Sequence, residues 1–281
     1  MSRSRSKHPT VEIIENLSQE IDRLIDLSLE KPPSASARKS INENVRTIVQ
    51  RMQEFVVDLD PVKQPRAVFD PSDPVVVGRF VALALIAQPR VSLKELEQFY
   101  GSGVYAIYYL GSHSNYLPIS DSETPIYVGK ADPQTDHARS PIEQGNRLLR
   151  QLKDHRRSIG KAASTLDLAD FECRALVVQS GWQGAAEDYL IQLFRPIWNN
   201  ETNICYGLGK HGDDPKTRAN LRSPWDTLHP GRDWAHRDVT VKDARDEEKI
   251  VADLMEHFEN QPIYSTVDEI LKVFFVGLRQ L

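Results

Sequence analysis

Apolar positions along the chain recur with two periods, and the places where one gives way to the other outline the fold. Across residues 11–30, Ile14, Leu17, Ile21, Leu24 and Leu27 return every three or four residues, the spacing of an amphipathic helix. The prolines of PPSAS break that pattern. A second helix is expected over about residues 41–59, with Val45, Ile48, Met52 and Phe55 on one face, ending before the proline-rich DPVKQPRAVFDPSDP. Two such helices bury little alone, so residues 1–72 read as a helical extension that packs on the main domain or on a partner chain. A third helix is expected over about residues 73–88, with a Ser or Asp cap and Pro74 in its first turn. SLKELEQFYG then reads as a short helical or turn segment, because Glu95 follows Ser92 at the capping-box distance.

From Gly103 onward the strand signal takes over. GVYAIYYL is rich in aromatic and β-branched residues, and PIYVGK is a returning strand, expected to run antiparallel to it. The polar loop ADPQTDHARSP leads to a helix expected over about residues 143–163, and a strand over 171–178 completes a small three-stranded sheet. AAEDYLIQLF is a helix that Pro196 closes. Residues 203–236 read as a long ordered loop anchored by Trp225, Leu228 and Trp234, and loops of that length usually bind something. A helix over 243–259 and a short helix or strand end the chain. The expected fold class is α+β: a core domain over residues 73–240, preceded by the extension 1–72 and followed by a helical segment 241–281.

Composition narrows the function classes. The chain has 281 residues, 40% hydrophobic and 27% charged, and no apolar run approaches the roughly 20 residues of a membrane span. MSRSRSKHP is basic, but no apolar stretch follows it as in a signal peptide. Two cysteines are too few for a disulfide framework or a thiolate zinc site, so a reducing, cytoplasmic compartment is expected. A net charge of −5 excludes a uniformly basic coat for nucleic acid, but not a local one. Arg147, Arg150, Lys153, Arg156, Arg157 and Lys161 face a single Asp154 in one helix, a candidate phosphate footprint.

Several residues could carry chemistry. Tyr105 and Tyr127 hold the third position of the similar phrases GVY and PIY, and a suitable register puts both phenols on one face of a hairpin. Gly129 and Lys130 would let a backbone and an ammonium approach a phosphate. His155 shares a broad face of the basic helix with Gln151 and Arg147, while Arg150 sits to the side. Glu187 lies among Ala185, Ala186, Leu190 and Phe194, where a carboxylate is costly unless paired or bound to a metal. One carboxylate with waters suits Mg2+. Asn199 is either a polar helix terminus or a clamp fastened back to the hairpin. Taken singly, each has a plain structural reading: packed tyrosines, a solvated lysine, a structural histidine, a capping glutamate.

Their order is more informative. GVY, PIYVGKA, a basic helix with its histidine, and a Glu-bearing helix closed by RPIWN together resemble the GIY-YIG nuclease domain. With HRRSI, LDLADFECR and WDTLHPGRDWA the likeness extends, over about residues 75–240, to the type II restriction endonucleases of the Eco29kI kind. The resemblance implies Tyr105 as general base, Tyr127 as its partner in orienting water and phosphate, and Glu187 as the ligand of one Mg2+. It implies Lys130 and His155 as groups that tune Tyr105 or carry its proton, and Asn199 as a brace. The family's arginine stands one turn before the histidine; Gln151 holds that place here, and the role passes to Arg150 in preference to Arg147. The implied target is CCGCGG in double-stranded DNA, cut by a homodimer or a larger assembly such as a tetramer. Arg156, Arg157, Lys210, Arg218, Arg222, His229 and Arg232 are the residues expected on phosphates or guanine edges. A repair or homing-type endonuclease of the same superfamily, and a catalytically silent DNA-binding or assembly protein, are the competing readings.

Overall fold

Prolines and short polar side chains decide where the helices begin. In α1 (Pro9–Glu30), proline occupies the first turn and His8 Nδ1 accepts the Thr10 N–H. In α2 (Ala35–Leu59), Ser34 caps the Ala37 N–H directly after the proline pair, which starts this helix six residues before the expected Ile41. The computed structural model describes residues 8–62, 69–179, 181–209, 221–236 and 241–278. It divides into two compact units, Met1–Arg66 and Ala67–Leu281, and α1 and α2 make up the described part of the first.

The second unit opens with α3 (Pro74–Ile86), whose Asp73 carboxylate accepts the Val75 N–H at 2.8 Å. A sheet follows, made of β1 (Val91–Ser92), β2 (Gly103–Tyr109), β3 (Tyr127–Ala131) and β4 (Phe171–Val177), in the order β1-β4-β2-β3 and antiparallel throughout. The expected three strands are therefore four. Val91 and Ser92 pair with Cys173 and Glu172 at the edge of β4, and of the expected helical or turn segment after Ser92 a turn is formed, with the Glu95 N–H donating to the Ser92 carbonyl at 3.1 Å. Two residues are too few to show a period, so only the neighbouring strand reveals them.

All seven residues of β2 are buried, so it shows no alternation between apolar and polar. Its Tyr105, Ile107 and Tyr109 face a core shared with Leu148, Leu152 and Ile159, while Val104, Ala106 and Tyr108 face a second core shared with Ala82, Leu85 and Leu190. The helix expected over 143–163 is split. Gly145, at φ +72°, ends α4 (Pro141–Gln144), and α5 (Arg147–Lys161) starts after Asn146. The buried Gln144 joins the sheet at the break: its carbonyl accepts the Ser102 N–H and its amide donates to the Val178 carbonyl, each at 2.9 Å. After β4 comes α6 (Gln183–Phe194), which ends at Arg195 in the left-handed conformation, directly before Pro196.

Beyond it, β5 (Leu221–Arg222), α7 (Pro224–Leu228), α8 (Asp233–His236) and β6 (Lys242–Asp243) build part of the long loop region, with β5 and β6 paired in parallel. Because Lys242 and Asp243 belong to β6, the next helix, α9 (Glu247–Asn260), starts four residues after the expected Asp243. The chain ends in α10 (Val267–Leu278), a helix where a helix or strand was expected. Ile250 and Leu254 of α9 join the first core, and Tyr264 and Ile270 the second. Among the described residues no helix is long and apolar enough to cross a membrane.

Helix α3 lies close against α6 at Gly78. A Cβ there would stand 2.5 Å from the carbonyl oxygen of Ala185, and that backbone atom cannot step aside without moving the helix that carries Glu187. Gly78→Ala is expected to destabilise the protein by about 1–3 kcal/mol, the usual scale of overpacking. Urea unfolding measures this; an unchanged midpoint would mean that the two helices are not locked at this spacing.

Candidate active site

The register of the hairpin decides what Tyr105 can reach. Tyr105 lies opposite Gly129, while Tyr127 lies opposite Ile107, so the two tyrosines form a diagonal pair on one face of the sheet. Gly129 has no side chain to fill the space across from Tyr105. A Cβ there would stand 2.6 Å from the phenol oxygen and 2.7 Å from Cζ, so the Tyr105 ring lies over the place that any other residue would occupy. The rings of Tyr105 and Tyr127 are 6.1 Å apart, close enough for each tyrosine to perturb the pKa of the other.

Helix α5 supplies the third member. His155 is 3% exposed, and its Nε2 lies 2.7 Å from Tyr105 Oη; its ring is 4.7 Å from that of Tyr127. Burial, together with the charge of Arg232, lowers the His155 pKa to about 4. The neutral imidazole can therefore carry its proton on Nδ1 and accept the Tyr105 proton at Nε2. Burial raises the Tyr105 pKa well above that of an ordinary phenol, Tyr127 adding to it, and it pushes that of Tyr127 up to about 12. A free phenolate is thus opposed here, while a phenol hydrogen-bonded to His155 is favoured.

Glu187, on α6, faces the same centre and adds to the raised pKa values of both tyrosines. Its Oε2 lies 3.4 Å from the ammonium of Lys130, the residue after Gly129. Burial still raises the Glu187 pKa more than Lys130 lowers it, and Asp188 and Glu201 reinforce the rise. The carboxylate therefore sits where further positive charge would be welcome. A hard cation such as Mg2+ fits this demand, since it accepts one protein carboxylate and completes its shell with water and phosphate oxygens. Among the described residues no group of three or more His, Cys, Asp or Glu is arranged to hold a metal, so a cage built wholly from side chains is not what the site offers there.

Asn199 does fasten back to the hairpin. Its Oδ1 accepts the Val128 N–H and its Nδ2 donates to the Val128 carbonyl, both at 2.9 Å. Strand β3 lies at the sheet edge, so the carboxamide replaces a missing strand and fixes the residue between Tyr127 and Gly129.

The two candidate arginines separate. Arg147 donates from Nε to the Asp132 carbonyl at 3.2 Å, just beyond β3. Arg150 is exposed and lines a cleft of about 410 Å3 together with Gln151, His155, Arg157, Lys161 and Gly209. Arg156 donates to the Lys94 carbonyl and Arg157 pairs with Asp154, both near the surface.

The other residues expected on DNA are placed differently. His229 is fully buried, hydrogen-bonded to the Tyr116 hydroxyl and to that of Thr165. Arg232 is 3% exposed; its guanidinium makes two short hydrogen bonds to Asp226, donates to the carbonyls of Gly207 and Leu208, and stacks over Trp225. Arg222 pairs with Asp243 at 2.9 Å. Lys210 and Arg218 lie outside the described residues. Reading the sequence did not single out Gln144, because a buried glutamine carries no local signal of the partner that makes its burial tolerable.

His155 and His229 make stability depend on pH. In the unfolded chain each imidazole has its ordinary pKa of 6.5, whereas in the fold the values fall to about 4 and about 3. Below 6.5 the unfolded chain binds protons that the native state refuses, so stability falls as the pH drops from there towards 4. The steepest contribution is about 1.4 kcal/mol per pH unit for each group. Urea midpoints measured across this window should decline, and His155→Gln should flatten the slope. An equally steep profile in that variant would contradict the buried, neutral state of His155.

Comparison with known families adds one finding. Residues 97–258, more than half of the chain, match the family described as the Eco29kI GIY-YIG domain. No curated protein matches the chain.

Proposed function

The chain belongs to the Eco29kI family of GIY-YIG nucleases, and from that membership we propose that it is a type II restriction endonuclease. It makes double-strand breaks in DNA, with CCGCGG as the implied target, by Mg2+-dependent hydrolysis of a phosphodiester. The observation that carries this reading is the convergence of Tyr105, Tyr127, His155 and Glu187 on one centre, with the cleft of Arg150 beside it.

Hydrolysis needs an oxygen nucleophile relieved of its proton, a scissile phosphate held in place, and an offset for charge on the departing 3′ oxygen. Tyr105 answers the first need. Its oxygen takes the proton of the attacking water as its own proton passes to His155 Nε2, so no free phenolate has to accumulate where burial opposes one. The negative charge of an entering phosphate favours the resulting imidazolium. Tyr127 orients the water and the phosphate from the neighbouring strand. Arg150 is the residue assigned to clamp the scissile phosphate, with Arg147 second, and Arg156 and Arg157 extend the contact along α5. Glu187, relieved of part of its pairing with Lys130, would hold Mg2+; when bound, the ion supplies charge that stabilises the pentavalent phosphate and the leaving oxygen. Within residues 203–236, Lys210 and Arg218 are assigned to reading guanine edges. A palindromic target calls for two copies on the DNA.

The test uses two Mg2+-containing reactions, one with a CCGCGG duplex and one with the same bases scrambled. Discrete double-strand cuts are expected in the first alone, and Glu187→Ala is expected to lose at least about 100-fold in rate while still binding the duplex in EDTA. A smear in both reactions would favour a repair or homing-type enzyme, and binding without cutting a silent one. Undiminished cutting by the variant would overturn the metal assignment.

A further inference from the structure

A buried polar chain lies outside the catalytic centre. Tyr116, in the short helical turn Ser114–Ile119, and His229, which ends α7, are both fully buried. Tyr116 Oη lies 2.5 Å from His229 Nε2, 3.1 Å from Trp198 Nε1 and 3.7 Å from Cys205 Sγ. His229 Nδ1 lies 2.9 Å from the Thr165 hydroxyl, which is also 3.3 Å from the Ala162 carbonyl. Groups so far from water need a partner for every proton.

The donors fix the direction of this chain. An indole N–H can only donate and a carbonyl can only accept. Trp198 Nε1 therefore donates to Tyr116 Oη, and the Thr165 hydroxyl donates to the Ala162 carbonyl. That leaves Tyr116 Oη to donate to His229 Nε2, and His229 Nδ1 to donate to Thr165 Oγ1. The Cys205 thiol then donates to Tyr116 as well. The opposite tautomer would take the Thr165 proton from Ala162, send the Tyr116 proton to sulfur, a weaker acceptor, and leave the thiol proton unpaired. Burial raises the Tyr116 pKa and lowers that of His229, so both groups stay neutral, as this direction requires.

The chain reaches the catalytic strand through Trp198. Its backbone N–H donates to the Ile126 carbonyl at 3.1 Å, and Asn199 grips Val128 on both its polar atoms. Two consecutive residues thus hold β3 on either side of Tyr127. We propose that Tyr116 and His229 are positioning residues for the hydrolysis: acting through Trp198, they fix Tyr127, so that one hydrogen-bond chain sets the WDTLHPG segment and the catalytic strand together. The catalytic consequence rests on the nuclease reading, whereas the hydrogen-bond chain stands without it.

The full chain and three of its variants test this. Tyr116→Phe removes the shared oxygen. His229→Gln keeps an acceptor for the Tyr116 proton, and His229→Met has a similar length without one. Nitrogen NMR of the wild-type protein is expected to show His229 protonated on Nδ1 alone. Hydrogen exchange at the β3 amides is expected to rise about 10-fold or more in Tyr116→Phe and His229→Met, with the β4 amides unchanged and His229→Gln close to wild type. On a CCGCGG duplex, kcat is expected to fall about 10- to 100-fold in the same two variants at unchanged KM. A proton on Nε2, unchanged exchange in β3, an equal rise in β4, identical behaviour of the Gln and Met variants, or an unchanged kcat would each overturn the proposal. A wild-type chain that does not cut would count against the nuclease reading alone, and the exchange rates would still decide whether this chain holds β3.

Discussion

A strand position without a side chain sets the geometry of the site. Because Gly129 stands opposite Tyr105, the phenol can lie across β3 and reach Tyr127 and His155 at once. Everything nearby keeps that arrangement in place. The fully buried β2 removes water from Tyr105, so its hydroxyl needs a partner inside the protein, and the neutral imidazole on α5 provides one. Asn199 pins Val128 at the outer edge of β3, which prevents the glycine from drifting out of register. The same desolvation opposes both a free phenolate and an imidazolium, so the pair rests as a neutral phenol hydrogen-bonded to a neutral imidazole.

Charge is divided between chemistry and scaffold. Around the centre, Lys130 and Glu187 are partly exposed and loosely paired at 3.4 Å, a contact that an entering anion or cation can reorganise. Arg232 and Asp226 do the opposite. Their ion pair is nearly inaccessible, and it also ties down the carbonyls of Gly207 and Leu208. Breaking one half of such a buried pair typically costs about 3–5 kcal/mol, because the other charge is left uncompensated. The ion pair thus holds the chain immediately before residue 209, beside the cleft that His155 lines. WDTLHPGRDWA therefore contributes buried framework through Trp225, Asp226, His229 and Arg232.

How much of this the sequence disclosed depended on the range of the interaction. Helix periodicity and the paired GVY and PIY phrases are local patterns, and they located α1, α3, α6 and the β2–β3 hairpin to within a few residues. The tyrosine pair was legible because strand register is a simple count. The fourth strand was not, since β1 is defined only by its partner β4. The break at Gly145 was hidden because one glycine within a helical pattern is tolerated more often than it interrupts. Arg232 and His229 have the residue types that read DNA, and only tertiary packing shows them engaged with Asp226, Tyr116 and Thr165.

The central claim is that the Tyr105 hydroxyl, held by His155, is the group that handles the reacting proton. Tyr105→Phe keeps the ring over Gly129 and removes only that oxygen. Its single-turnover cleavage rate on a CCGCGG duplex, measured with DNA affinity as the control, tests the claim most directly. A rate at least about 100-fold lower at unchanged affinity is the expected result, on the scale of lost general-base catalysis. Cleavage at the wild-type rate would contradict the account.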